Sequence, residues 1–135
     1  MNARVLAAWE PQFLSVLRIV AALLFLEHGT QKIFDFPPAA MPHPYVLMTL
    51  APGLAGLIEL VGGSLLLLGL FTRPVAFIVS GEMAAAYFMG HFPRSPFPIL
   101  NGGDGAVMLC FVFLYLAAAG AGPWSIDAAM RKPDA

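Results

Sequence analysis

Four apolar runs, each close to the length of a helix that crosses a bilayer, limit what this chain can fold into. They are residues 13–34, 46–70 ("VLMTLAPGLAGLIELVGGSLLLLGL"), 74–92 ("PVAFIVSGEMAAAYFMGHF") and 104–122 ("DGAVMLCFVFLYLAAAGAG"). A spanning helix needs about 20 apolar residues. A spanning strand needs about half that with strict alternation, which none of the runs has. Without water to satisfy backbone groups, helices are the workable choice. Composition agrees: 59% of the 135 residues are hydrophobic and 11% are charged, against about 25% charged in soluble domains. The expected fold is all-α, an integral membrane antiparallel four-helix bundle forming a single domain over residues 1–135.

Several function classes drop out at once. A formal net charge of −1 leaves no basic footprint for nucleic acid. Cys110 stands alone, so neither an intrachain disulfide nor a dithiol relay can form. "LVGGSLLLLG" lies mid-span without the ending of a phosphate loop. Ser64 and Ser80 have no triad around them, no haem or flavin motif stands out, and the histidines and glutamates lack a recognised metal spacing. The opening "MNARVLAAWEPQ" and the run behind it have no A-x-A cleavage site, and Arg18 interrupts the run, so it reads as a retained first span.

Prolines mark the connections: "FDFPPAAMPHP", the tight "FTRP", and "PRSPFPILNGG". After Pro123 a short surface helix is expected over about 125–132, capped by Ser125, with Asp127 in its first turn and Arg131 and Lys132 in its last. Trp124 suits the headgroup level. Arg4, Arg73, Arg131 and Lys132 fall on one side of the membrane, Arg94 and Lys32 on the other. That bias puts both termini in the cytoplasm.

The apolar runs nevertheless carry ionisable groups, each costing about 2.5–3.5 kcal/mol if it sat at the centre of a lipid-facing helix. They are expected to face one another or a wet cavity. At helical spacing His28 and Lys32 share a face, Arg18 falls near the Lys32 side, and Glu27 and Gln31 form an adjacent strip. Ala55, Glu59, Gly62 and Gly63 share a face of the second run; Glu82, Ala86 and Gly90 form a stripe on the third, ending near His91. Asn101 or Asp104 can cap the fourth, whose first N–H groups suit an anion or polar headgroup. Taken singly, each residue has a packing reading: glutamate as interhelical glue, arginine snorkelling, aspartate as a cap. As a group they exceed what packing needs. His28, Lys32, Glu59, Glu82, His91, Asn101 and Asp104 are therefore the candidate ligand-binding or proton-relay residues.

In this order, "RIVAALLFLEHGTQKIF", "GLIELVGGSLLLLGLFTRPVA", "GEMAAAYFMGHFP", "NGGDGAVMLCFVFLYLA" and "GPWSIDA" resemble the DoxX family of small bacterial membrane proteins, from about Arg18 to Asp127. Asp104 stands where the family often has glutamate, and Glu27 where many members are neutral. The resemblance implies four helices in a bacterial inner membrane and a link to quinone redox chemistry, because the family takes its name from a membrane subunit linked to thiosulfate and quinone chemistry and its members are commonly labelled oxidoreductases; it supplies no catalytic residue. The expected function is a small membrane subunit of a quinone-linked redox system, with quinone or a small substrate in the His/Lys/Glu pocket. In that reading a protein partner supplies the electrons, and a homo-oligomer is the other expected association. Two other readings are a non-catalytic assembly or partner-binding subunit and a small oligomeric transporter.

Overall fold

The structure, a computed structural model, describes residues 2–41 and 44–131. Among these residues every regular element is helical. Helix α1 (Ala3–Ala8) is capped by the Asn2 side chain and leads into α2 (Glu10–Phe34). Pro11 sits in the first turn of α2, where its missing N–H costs nothing. Asp35, in a left-handed conformation, ends the helix ahead of Pro37 and Pro38. The second run becomes helical later than its hydropathy predicts. Residues 46–49 are irregular, a wide π turn covers Leu50–Leu54, and α3 follows over Ala55–Leu68. Pro52 explains the delay, because it cannot donate a helical hydrogen bond.

Gly69 ends α3 at φ +67; a Cβ there would lie 2.4 Å from Ser125 Cβ, so glycine is required by conformation and by space. Helix α4 (Thr72–Ala86) continues without a break into a π turn, Tyr87–His91. A four-residue α5 (Pro98–Asn101), then α6 (Asp104–Ala119) and a short α7 (Ile126–Met130) complete the described chain. Ser125 caps α7 through the Ala128 N–H, as its sequence predicts. Lys132, expected in the last turn of that surface helix, lies outside the described residues. Two helical stretches, Glu10–Phe34 and Leu50–Leu68, are long and apolar enough to cross a membrane; α6 is apolar but shorter.

Helix α2 packs mainly on α3 and α4 mainly on α6, with lighter contact between α3 and α4. The interior is small: Ala21, Ala22, Phe25, Leu66, Ala76, Val79, Met83, Phe113 and Leu116. Phe25 meets Phe113 edge to face at 5.1 Å, joining α2 to α6. Large apolar side chains such as Phe77, Ile78, Met108 and Phe111 point outward, as a lipid-facing surface requires. Between helices in lipid the hydrophobic effect gives no attraction, so close packing and polar bonds carry association.

Arg18 supplies the strongest of those bonds. It is fully buried. Its guanidinium donates to Leu66 O and Leu67 O at the end of α3, both at 2.6 Å, to Ala121 O at 2.8 Å and to Trp124 O. Nearby, the Asp127 carboxylate accepts from Phe71 N and Thr72 N, each at 2.9 Å, and so caps α4 from the C-terminal tail. Burial pushes the Asp127 carboxyl up, but the Thr72 and Phe71 N–H donors and Arg131 outweigh it and hold it below the usual aspartate range. Arg73 reaches the last carbonyls of α6, including Ala118 O. One end of the molecule is thus tied shut.

Candidate functional site

The opposite end holds an ion pair in a helix crossing. Gly29 lets α2 approach α3 so closely that a Cβ there would lie 2.6 Å from Leu60 N and 2.9 Å from Glu59 C. One turn on, Lys32 Nζ reaches both carboxylate oxygens of Glu59 at 2.7 Å. The lysine side chain is 28% exposed and the glutamate 3%. Gly56 leaves room for the lysine stem, since a Cβ there would stand 3.3 Å from Lys32 Cβ. The small-residue face expected on α3 is therefore divided: Gly56 and Gly63 face α2, while Gly62 faces Val79 of α4.

This pair borders a cavity of about 590 Å³, within the usual range for small-molecule sites. Lys32, Glu59, Glu82 and His91 supply its polar wall; Leu54, Ile58, Ala86 and Met89 are among its apolar residues. Leu50, Ile78 and Met89 both line it and are exposed, so its mouth lies on the apolar flank of the molecule. The stripe expected on the third run, Glu82, Ala86 and Gly90, lines one side. Glu59 already has its lysine. Glu82 does not: its Oε2 is buried without a hydrogen-bond partner. A buried carboxyl oxygen left unsatisfied costs about 1–3 kcal/mol or more, which a ligand in the cavity can recover.

His91 reaches the cavity from the π turn. Such turns occur often at functional sites. Its Nδ1 lies 3.0 Å from Asn101 O and 3.2 Å from Arg94 Nη2. The two contacts exclude each other in the neutral ring: donating to the carbonyl uses an Nδ1 proton and leaves the lone pair on Nε2, whereas accepting from Arg94 puts the proton on Nε2. Tyr87, which composition gave no reason to single out, stacks on His91 at 6.4 Å and donates to Pro96 O at 3.2 Å.

The remaining candidates lie elsewhere. His28 and Glu27 are exposed on α2 and do not line the cavity, because Gly29 and Lys32 take the faces turned to α3. Asn101 is buried but shapes the loop: its Nδ2 donates to Ser95 O at 2.8 Å and its Oδ1 accepts from Gly103 N at 2.8 Å. Asp104 is an exposed first-turn residue of α6. Arg18 shares the α3-facing side of α2 with Lys32, as expected, but lies at the far end, where it is committed to backbone carbonyls. The structure thus gathers Lys32, Glu59, Glu82 and His91 on the cavity wall; His28, Asn101 and Asp104 do not line it, although the Asn101 carbonyl touches His91.

Comparison with known proteins places the chain in a wider group. The family model for DoxX matches residues 13–92. An uncharacterized protein of Haemophilus influenzae is 44% identical over 131 residues, covering 90% of this chain and 93% of that protein. An uncharacterized membrane protein of Mycobacterium tuberculosis is 27% identical over 154 residues, covering 96% of this chain and 88% of that protein. No solved structure matches the chain.

Proposed function

This chain belongs to the DoxX family of membrane proteins, and from that premise we propose that it is a small membrane subunit of a quinone-linked redox system, binding the quinone ring in the Lys32–Glu59–Glu82–His91 cavity. One observation carries the reading: Glu82 Oε2 is buried and unpartnered in a largely apolar cavity of about 590 Å³. An apolar ring with polar oxygens suits both properties of the site, and the exposed apolar mouth suits entry from the bilayer.

A bound quinone supplies two-electron, two-proton redox chemistry. The protein's part is positioning and proton handling. Glu82 makes the hydrogen bond to a ring oxygen and holds or yields a proton at its free carboxyl oxygen. Lys32 stands beside the same space as fixed positive charge, oriented by Glu59. His91, oriented through Nδ1 by Asn101 O, offers Nε2. With a single cysteine in the chain, electrons come from a protein partner.

In this reading the four long helices form a membrane bundle in a bacterial inner membrane. Arg73 and Arg131 lie with the tied end and Arg94 with the cavity end, which supports cytoplasmic termini. A second reading, an assembly subunit, draws on Glu27 and His28. They are exposed on an apolar helix, and lipid contact would be costly for them. A partner helix or a second copy laid on that face would relieve the cost.

Titration of the purified protein in nanodiscs with a tail-less benzoquinone tests the main reading. Binding is expected, weakened about tenfold by Glu82→Gln, a loss of about 1.4 kcal/mol. Absence of binding at millimolar ligand, or indifference to Glu82→Gln, would overturn it.

A further inference from the structure

The cavity does not stop at its own walls. Ile58 and Ile78 line it and also line a second groove of about 270 Å³, almost wholly apolar, that runs between α3 and α4 past Val61, Leu65 and Val75. At the other side, Lys32 and Ala51 are shared with a more polar hollow that reaches Gln31 and Asp35. Three adjoining spaces therefore run from polar through mixed to apolar. The groove follows the α3–α4 seam, where the helices touch less than α2 does α3 or α4 does α6. Gly62 forms part of its floor, and a Cβ there would strike Val79 Cγ1 at 2.7 Å, so the groove's depth depends on that glycine.

We propose that the ligand is a head-and-tail amphiphile, a quinone carrying an apolar chain, with its ring beside Glu82 and Lys32 and its chain laid in the α3–α4 groove; this rests on the quinone reading of the cavity. The polarity of the series fixes the direction, since the α3–α4 groove has no polar side chain in its lining and the cavity has four. From Glu59 to Leu65 and from Glu82 to Val75 the helices rise about 9–10 Å, which sets the length of chain the groove holds. A seated ring tethers the chain, so the groove fills at a high effective concentration.

The test uses the full chain in phospholipid nanodiscs and three probes. One is a benzoquinone with an alkyl chain bearing a diazirine about 10 Å from the ring; the second is a tail-less benzoquinone; the third is a phosphatidylcholine with a diazirine in its acyl chain. On irradiation the tailed quinone is expected to label residues 57–65 and 75–79. Excess tail-less quinone should reduce that labelling about fivefold or more by evicting the ring. Val61→Trp, at an exposed position, should lower affinity for tailed relative to tail-less quinone by about fivefold. If tail-less quinone binds but labelling scatters over α6, or resists competition, the tail assignment is wrong and the ring site stands. Equal groove labelling by the phospholipid probe, undisturbed by quinone, makes the groove a lipid slot and likewise overturns the proposal alone. Failure of the tail-less ring to bind removes both.

Discussion

Lys32→Met tests what the ion pair contributes. The substitution keeps an unbranched stem against Gly56 and removes both bonds to Glu59, whose side chain is only 3% exposed. Breaking a buried pair costs about 3–5 kcal/mol; because Lys32 is 28% exposed, the lower figure applies, about 3 kcal/mol. An ordinary interhelical hydrogen bond in a membrane contributes only about 0.6 kcal/mol and seldom more than about 1.7. The predicted loss therefore separates a stranded carboxyl from a merely missing bond. For a chain of this size it corresponds to a fall in Tm of roughly 10 °C. Thermal unfolding in one detergent, followed by circular dichroism, measures it. Lys32→Met with Glu59→Leu removes both partners and should recover to within about 1 kcal/mol of the parent. A single variant that loses less than about 1 kcal/mol, or a double variant as unstable as the single, would falsify the account. On the quinone reading proposed above, the recovered double variant should bind tail-less quinone less tightly than the parent, because Lys32 no longer lines the cavity.

Arg18→Lys should fail to accumulate as a folded species on size-exclusion chromatography, since an ammonium has three donors and no planar fork to serve four carbonyls from two segments. Gly29→Ala should cost about 1–3 kcal/mol by forcing α2 off α3, whereas Gly81→Ala, with nothing within 4 Å of the new Cβ, should be neutral or stabilise by up to about 1 kcal/mol; equal effects would contradict the crossing geometry. Asp127→Asn should cost about 1 kcal/mol at pH 7 as a lost cap. The folded carboxyl titrates below its unfolded value, so its contribution is complete above that value, about 3.9, and fades as pH falls through the folded one. The gap between parent and variant should hold steady from about pH 7 to 5 and close below about pH 4; a gap that widens in acid counts against the cap.

Sequence pattern reached the helices because hydropathy and proline placement act locally. It missed where the second helix begins by several residues, since Val46–Thr49 is as apolar as the helix beyond it and only Pro52 signals the break. Spacing on one helix correctly put Glu82, Ala86 and Gly90 on one wall. It could not tell that His28 stays off the cavity wall, because residues four apart share a face only within about 40° and α3 crosses on the Gly29–Lys32 side. Arg18 was harder still. Its partners are backbone carbonyls, which every residue possesses, so no side chain in the sequence announces them. Nor did anything mark the π turn that carries His91, as such a turn arises from packing rather than from a residue type.

The tie at Arg18 and the cavity at Lys32 lie fourteen positions apart on one helix, about 21 Å. Four bonds hold Arg18, and α3 touches α4 less than it touches α2, so the guanidinium would be the pivot of any tilt of the helix. A tilt of about 5° there, too small to disturb four short hydrogen bonds, displaces the far end by about 2 Å. That is enough to widen a slot for a flat ring. Amide exchange should accordingly be slowest around Leu66 and Leu67 and quicken steadily toward Ala86.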